Sequence, residues 1–301
     1  MKEITIISGK GGTGKTSFTL SLANILSKEK TIVCADCDVD AADMHIIMQP
    51  TVLEKHTFIS GNLAVMHKEH CSRKDGSSCS ICYDLCRFDS IRKTADDFFE
   101  IDSGTCEGCK VCVSQCPSKA ISFPERKCGE WYISKTRFGT LVHAALDIHA
   151  ENSGKLVTTV RKEAKKIANE QNADYIIVDG SPGTGCPVIA SVTGSDQVII
   201  VTEPTVSGMH DLLRVAKLVK HFSIPFSVIV NKGSINTEKT TEIKTWCTEN
   251  NIRFLGIIPF SHTVTKAQIE TKTIIEYEED KNNKDLTHVL QEIAKDIIIS
   301  M

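Results

Sequence analysis

Two sets of residues in this chain have the types and spacing to do chemistry. The first is cysteine. Cys106, Cys109, Cys112 and Cys116 follow a C-x2-C-x2-C-x3-C spacing with Pro117 next in line, the run that folds backbone around a cubane iron–sulfur cluster. Upstream stands a second ladder, Cys71, Cys79, Cys82 and Cys86. The second set is Gly9-Lys10-Gly11-Gly12-Thr13-Gly14-Lys15-Thr16-Ser17, a Walker A loop. Its glycines let backbone N–H groups converge on phosphate oxygens, Lys15 is expected on the β- and γ-phosphates of ATP, and Thr16 on magnesium.

The ladders are unequal. Seven residues separate Cys71 from Cys79, and Gly76 fills the place three residues before Cys79 where a cysteine ordinarily stands. In paired runs the fourth cysteine ligates the other cluster. That rule groups Cys86, Cys106, Cys109 and Cys112 on one [4Fe–4S] cluster, and Cys71, Cys79, Cys82 and Cys116 on the other. The segments after each ladder also match: Cys86-Arg87-Phe88-Asp89-Ser90-Ile91 against Cys116-Pro117-Ser118-Lys119-Ala120-Ile121. Two alternatives stay open. Cys71 reaches back over a looped-out segment, or that cluster lacks a ligand and is a three-iron or labile one. Zinc also accepts four thiolates, but through paired C-x2-C knuckles set well apart.

These sites need elements to hold them. Ile4–Ser8 is a β-rich apolar run leading into the glycine turn, with a helix from Lys15 to about Ser27. Further strands are expected at Thr31–Ala35, Leu63–Met66, Tyr175–Val178, Gln197–Thr202, Phe226–Asn231 and Phe254–Ile258. Helices are expected at Asp43–Met48, Lys155–Glu170 and Leu286–Ile299. Strands alternating with helices imply a doubly wound, mostly parallel α/β sheet. From His67 the long apolar periodicity gives way to cysteines and short polar turns. The expected organisation is therefore one α/β domain, 1–66 and 128–301, interrupted by a small α+β insert at 67–127.

A chain of 301 residues suits about two domains. A net charge of −3 gives no general field for nucleic acid. No apolar run approaches the ~18 residues of a membrane span. So many thiols without a leader-like N-terminus fit metal ligands in a reducing cytoplasm.

The chain resembles the MinD/ParA/Mrp class of deviant-Walker P-loop ATPases, which includes the nitrogenase iron protein, with an inserted two-cluster ferredoxin domain. The matching segments are Ser8–Thr16, Ala35–His45, both ladders, Gly129–His143, Glu151–Lys162, Val178–Val192 and Val201–Asp211. The resemblance implies that Lys10 reaches the partner's phosphates across an ATP-dependent homodimer. It implies that Asp38, in Asp36-Cys37-Asp38-Val39-Asp40, positions the attacking water, and that Asp179 holds magnesium. It also implies adenine contacts from Asn231, Lys232, Pro259 and Phe260. Cys186, seven residues after Asp179, has the spacing of the nitrogenase iron protein's cluster ligand, but no second ligand is evident and an inert thiol is expected. The terminal helix Leu286–Ile299 has a mixed-charge polar face and is expected to pack on the core, not on a membrane. Three outputs follow for such a protein: ATP-gated electron transfer to a redox partner, delivery of a cluster to an acceptor protein, or MinD-like spatial regulation.

Overall fold

A computed structural model describes residues 1–148, 150 and 153–299; Glu151, which opens one of the matching segments, lies outside them. In chain order the elements begin β1 (Lys2–Ser8), α1 (Lys15–Ser27), β2 (Ile32–Asp36), α2 (Met44–Met48), β3 (Thr51–Asn62) and β4 (Val65–Met66). Next come α3 (Ile81–Asp84), β5 (Ile91–Lys93), β6 (Phe99–Ile101), α4 (Val111–Gln115) and β7 (Ile121–Ser122). Then follow β8 (Glu125–Thr136), β9 (Gly139–Leu146), α5 (Ser153–Glu170), β10 (Tyr175–Pro182), α6 (Cys186–Val192) and β11 (Gln197–Thr202). The chain closes with α7 (Val206–His221), β12 (Phe226–Asn231), α8 (Thr237–Glu249), β13 (Arg253–Ile258), α9 (Thr263–Ile269), α10 (Ile274–Asp280) and α11 (Asp285–Ile299).

The chain divides into two compact units. The larger holds Met1–His56, Trp131–Ala145 and Ser153–Met301; the smaller holds Thr57–Glu130 and Leu146–Asn152. Strands β3, β8 and β9 have residues in both.

The main sheet has nine strands in the order β13-β12-β11-β1-β10-β2-β9-β8-β3. Strand β1 lies parallel to both β10 and β11, β12 and β13 extend one side, and β2 and β9 the other, all parallel. Because side chains alternate across a strand, one sheet feeds two cores. Ile199 and Val201 of β11 join Ile4, Ile6 and Ile177 beneath α1 and α11. Val198 and Ile200 of the same strand join Ile7 and Val228 beneath α6, α7 and α8. Helix α11 buries Leu286, Leu290, Ile293, Ala294 and Ile297 in the first core.

Three differences from the sequence reading concern positions near the sites. Strand β10 continues past Val178 to Pro182, so Asp179 lies inside it. The strand expected at Leu63–Met66 shortens to β4. Strands β3, β8 and β9 were not expected: β3 is mostly exposed, with only Phe58 and Ser60 buried, so it lacks an apolar signature. No helix of the described residues is long and apolar enough to cross a membrane.

Candidate functional site

Parallel order brings the carboxyl ends of β1, β2, β10, β11 and β12 to one edge, where doubly wound folds collect ligands. The turn after β1 bends through Gly14, which precedes α1 at φ +89°, a left-handed conformation that favours glycine. A Cβ there would also lie 2.1 Å from the Asn231 amide nitrogen. Asn231 uses that amide as a brace: Nδ2 donates to the Thr13 carbonyl at 2.7 Å, and Oδ1 accepts from Lys232 N–H at 2.9 Å.

A cavity of about 630 Å³ opens over this turn, lined by Gly11, Gly12, Thr13, Gly14, Lys15, Thr16 and Ser17, with Asp38, Asn231, Lys232, Pro259 and Phe260. The structure thus brings together residues spread across the sequence. Val264, Thr265 and Gln268 of α9 complete one wall, and Gln268 donates to Ser17 Oγ at 3.1 Å. Sequence reasoning missed that wall, since α9 is short and carries no motif. Thr13 Oγ1 is buried without a partner among the described residues, a polar atom suited to a polar ligand in the cradle.

Lys15 and Asp179 form the electrostatic centre. Lys15 Nζ lies 2.8 Å from Asp179 Oδ2 and 3.4 Å from Asp38 Oδ2. Burial alone would lower the Lys15 ammonium, but Asp179 and Asp38 outweigh it and hold it above its ordinary value. Asp38 is raised, by burial first, with Lys15 opposing. Thr16 Oγ1 donates to Asp179 Oδ2 at 2.7 Å, and Thr19 Oγ1 to Asp179 Oδ1 at 2.7 Å. Thr19 was not anticipated; its signal was its place one helical turn after Lys15, on the same face of α1. Asp36 is also fully buried, accepts from the N–H groups of Met44 and Asp38, and is pushed up to about 8 by burial and by Asp179.

The ends of β2 and β10 are tied together. Cys37 N–H donates to the Asp179 carbonyl at 2.8 Å, and Ser181 Oγ donates to the Cys37 carbonyl at 2.7 Å. Cys37 is buried, and burial raises its thiol well above the usual range. Cys186 is exposed at the start of α6.

Lys10 lies outside the cavity lining. Its ammonium is 2.5 Å from Glu203 Oε1 and donates to Ser207 Oγ at 2.9 Å. Glu203 also meets Lys232 at 3.1 Å. Burial works against the Glu203 carboxylate, yet these two lysines hold it below its ordinary value. Glu203 follows the end of β11, a position its strand context flags but no motif does.

In the smaller unit the two cysteine ladders form a structural repeat. Asp89 and Lys119, each three residues after the last cysteine of its ladder, take the left-handed conformation at φ 52° and 51°. Ser90 and Ala120 then turn inward at 1% and 0% exposure, and Ile91 and Ile121 open strands β5 and β7. Cys86, Cys106, Cys109 and Cys112 line one cavity. The Cys112 thiol is raised, by burial first, with Cys106, Cys109 and Cys86 as its neighbours. Cys82 is pushed up to about 11, by burial first, with Cys116, Cys71 and Cys79 around it. All thirteen cysteines are free thiols. Among the described residues no three His, Cys, Asp or Glu side chains are gathered tightly enough for one metal ion.

A glycine-rich strand–loop–helix turn at the edge of a doubly wound sheet, with a buried lysine and aspartate beneath it, defines a P-loop nucleotide-binding protein. The chain belongs to the CobQ/CobB/MinD/ParA nucleotide binding domain family, whose model matches residues 4–274; members of the MinD/ParA branch are ATPases. It is 35% identical over 235 residues to the uncharacterized protein MJ0578 of Methanocaldococcus jannaschii, covering 78% of this chain and 79% of that one. A second protein of that organism, uncharacterized MJ0579, is 26% identical over 300 residues, 99% and 98% of the two chains. Among solved structures, the septum site-determining protein MinD of Pyrococcus horikoshii, complexed with Mg-ADP, superposes with a TM-score of 0.59 at 16% identity, covering 98% of this chain and 95% of that one. That likeness speaks for the fold alone.

Proposed function

We propose that this protein is an ATP-hydrolysing dimeric switch carrying two [4Fe–4S] clusters, and that it couples nucleotide state to electron transfer toward a protein partner. The observation that carries the reading is the pairing of eight thiols into two sets of four, on a repeated backbone, in a chain that also holds a Walker A cradle. Cys86, Cys106, Cys109 and Cys112 would hold one cluster, and Cys71, Cys79, Cys82 and Cys116 the other. Bound there, the clusters supply one-electron chemistry.

The nucleotide chemistry follows from residues of the larger unit. Gly11–Thr16 cradle the phosphates of ATP, and Lys15 exchanges its carboxylate partners for phosphate oxygens. Thr16 and Asp179 hold magnesium. Asn231, Lys232, Pro259 and Phe260 flank the base. Asp38 orients a water in line with the γ-phosphorus; its oxygen bonds to phosphorus as the bond to the β–γ bridging oxygen breaks. Lys10 leaves Glu203 and, in a homodimer, balances charge on the partner's phosphates.

A second reading, delivery of a cluster to an acceptor, is favoured by one observation: Cys109 is exposed. The spatial-regulator reading draws on the MinD-like fold. One experiment separates the three. Protein purified without oxygen is assayed for iron and sulfide, then for ATP-dependent change in cluster potential and in electron transfer to an acceptor. About eight irons per chain and an ATP-dependent shift support the proposal. Iron that moves into an apo-acceptor favours delivery. Clusters indifferent to ATP favour spatial regulation, and colourless zinc-loaded protein sinks all cluster readings.

A further inference from the structure

The ladder irregularity has a structural answer in Arg73. Between Cys71 and Cys79 the chain forms one tight 3-10 turn, Ser72–Asp75, ending at Gly76 with φ 85°. Lys74 N–H donates to the Cys71 carbonyl, Gly76 N–H to the Arg73 carbonyl, and Ser77 N–H to the Ser72 carbonyl. Ser77 Oγ then accepts from Cys79 N–H at 3.2 Å. The extra residues therefore double back on themselves and return the chain beside its start.

The Arg73 side chain crosses the base of this turn and is only 9% exposed. Nη1 donates to the Cys79 carbonyl at 2.8 Å, Nε donates to the Asp97 carbonyl at 2.5 Å, and Nη2 pairs with the Asp97 carboxylate. The guanidinium carbon Cζ lies 5.2 Å from the Phe99 ring centroid. Phe99 in turn stacks on Tyr83 at 5.3 Å, and Tyr83 adjoins Cys82 in α3. Lys93 holds Asp97 from the other side at 2.5 Å. An exposed arginine would gain little from one such contact. Here the Arg73 guanidinium is largely covered although its Asp97 partner is exposed, and three directed donors with an aromatic face make a fixture that no other residue type supplies.

We propose that Arg73 is a positioning residue for the second cluster: its fork locks the seven-residue excursion so that Cys71 stands with Cys79, Cys82 and Cys116 as a complete four-thiol set. The inference rests on the cluster reading above and deepens it. It makes the irregular ladder a full ligand set, not a three-ligand or labile one.

The test uses the full chain, purified without oxygen and reconstituted with iron and sulfide. Wild type should hold about eight irons. Arg73→Ala, Arg73→Lys and Cys71→Ser should each fall to about four, losing one of two EPR signatures while the other keeps its potential. Lysine fails because a point charge cannot replace the fork. Sub-denaturing guanidinium added during reconstitution should restore the lost iron and signal to Arg73→Ala but not to Cys71→Ser. A residue that merely stabilised the fold would not show that split. Arg73→Ala that keeps eight irons with both potentials unchanged overturns the proposal. So does wild type with four irons, and so does loss of all iron that guanidinium cannot restore. If wild type binds no iron, the cluster reading fails by itself. The clamp is then judged by proteolysis between Cys71 and Cys79: faster cutting in Arg73→Ala upholds it, an equal rate ends it.

Discussion

Replacing Thr19 with valine exchanges its hydroxyl for a methyl of nearly the same volume, at a position that is 0% exposed. Thr19 Oγ1 lies 2.7 Å from Asp179 Oδ1 and 3.0 Å from the Lys15 carbonyl. Having one proton, it gives it to the nearer, charged acceptor. A hydrogen bond to a charged group contributes about 1.5–3 kcal/mol. The added buried methyl returns about 0.8 kcal/mol. Thr19→Val should therefore destabilise the larger unit by about 1–2 kcal/mol. Both tryptophans, Trp131 and Trp246, lie in that unit, so urea unfolding followed by tryptophan fluorescence reads it selectively. The cost must run through Asp179: in an Asp179→Asn background it should shrink by more than half, because the acceptor's charge is gone. A loss below ~0.5 kcal/mol, or an equal loss in both backgrounds, would refute the reasoning.

Other outcomes follow from the same geometry. Gly14→Ala, which meets both a φ of +89° and the Asn231 amide at 2.1 Å, should weaken ATP binding roughly tenfold or more by calorimetry; adding Asn231→Gly should recover only part, since the backbone strain remains. Lys10→Ala should bind ATP normally yet hydrolyse it ~10³-fold more slowly, read by phosphate release under dimer-forming conditions. His143, packed against Tyr132 and His45 and bonded to Ser134, is pushed down to about 4 from 6.5 by burial and by His45. Its folded state binds fewer protons than the unfolded chain between these values, so stability should be complete above pH 6.5 and fall toward pH 4, by on the order of 3 kcal/mol. His143→Gln should flatten that slope in thermal melts taken across the range. Cys186→Ser should leave the iron content unchanged; a loss of iron would make that thiol a ligand.

The parts legible in the sequence were those with one dominant local signal. Runs such as Val198–Val201 are apolar at every position because both faces of the sheet are covered, so β11 and β12 were read to the residue and β1 from Ile4 onward. The glycine turn was legible because its conformations need glycine. Strands β3 and β8 were not, because partly exposed strands alternate weakly and their polar residues resemble loop; β9 is buried from Leu141 to Ala144, but His143 interrupts its short apolar run. Contacts between distant residues were equally hidden. Nothing in the order of residues says that Thr19 meets Asp179 across 160 positions, or that Glu203 holds Lys10 and Lys232 at once. The roles expected of Asn231 and Lys232 came from resemblance; the braces they form, to the Thr13 and Gly12 carbonyls, came only from the packed loop.

The paired hydrogen bonds at Cys37 give the neighbouring strand ends a shared fate. With its N–H held by the Asp179 carbonyl and its own carbonyl held by Ser181, Cys37 cannot shift without straining both of its bonds to the 179–181 segment. Epistasis between these two stretches is the consequence. Changes made in both should register as a single lesion rather than two, and natural variation in one stretch should carry a compensating imprint in the other.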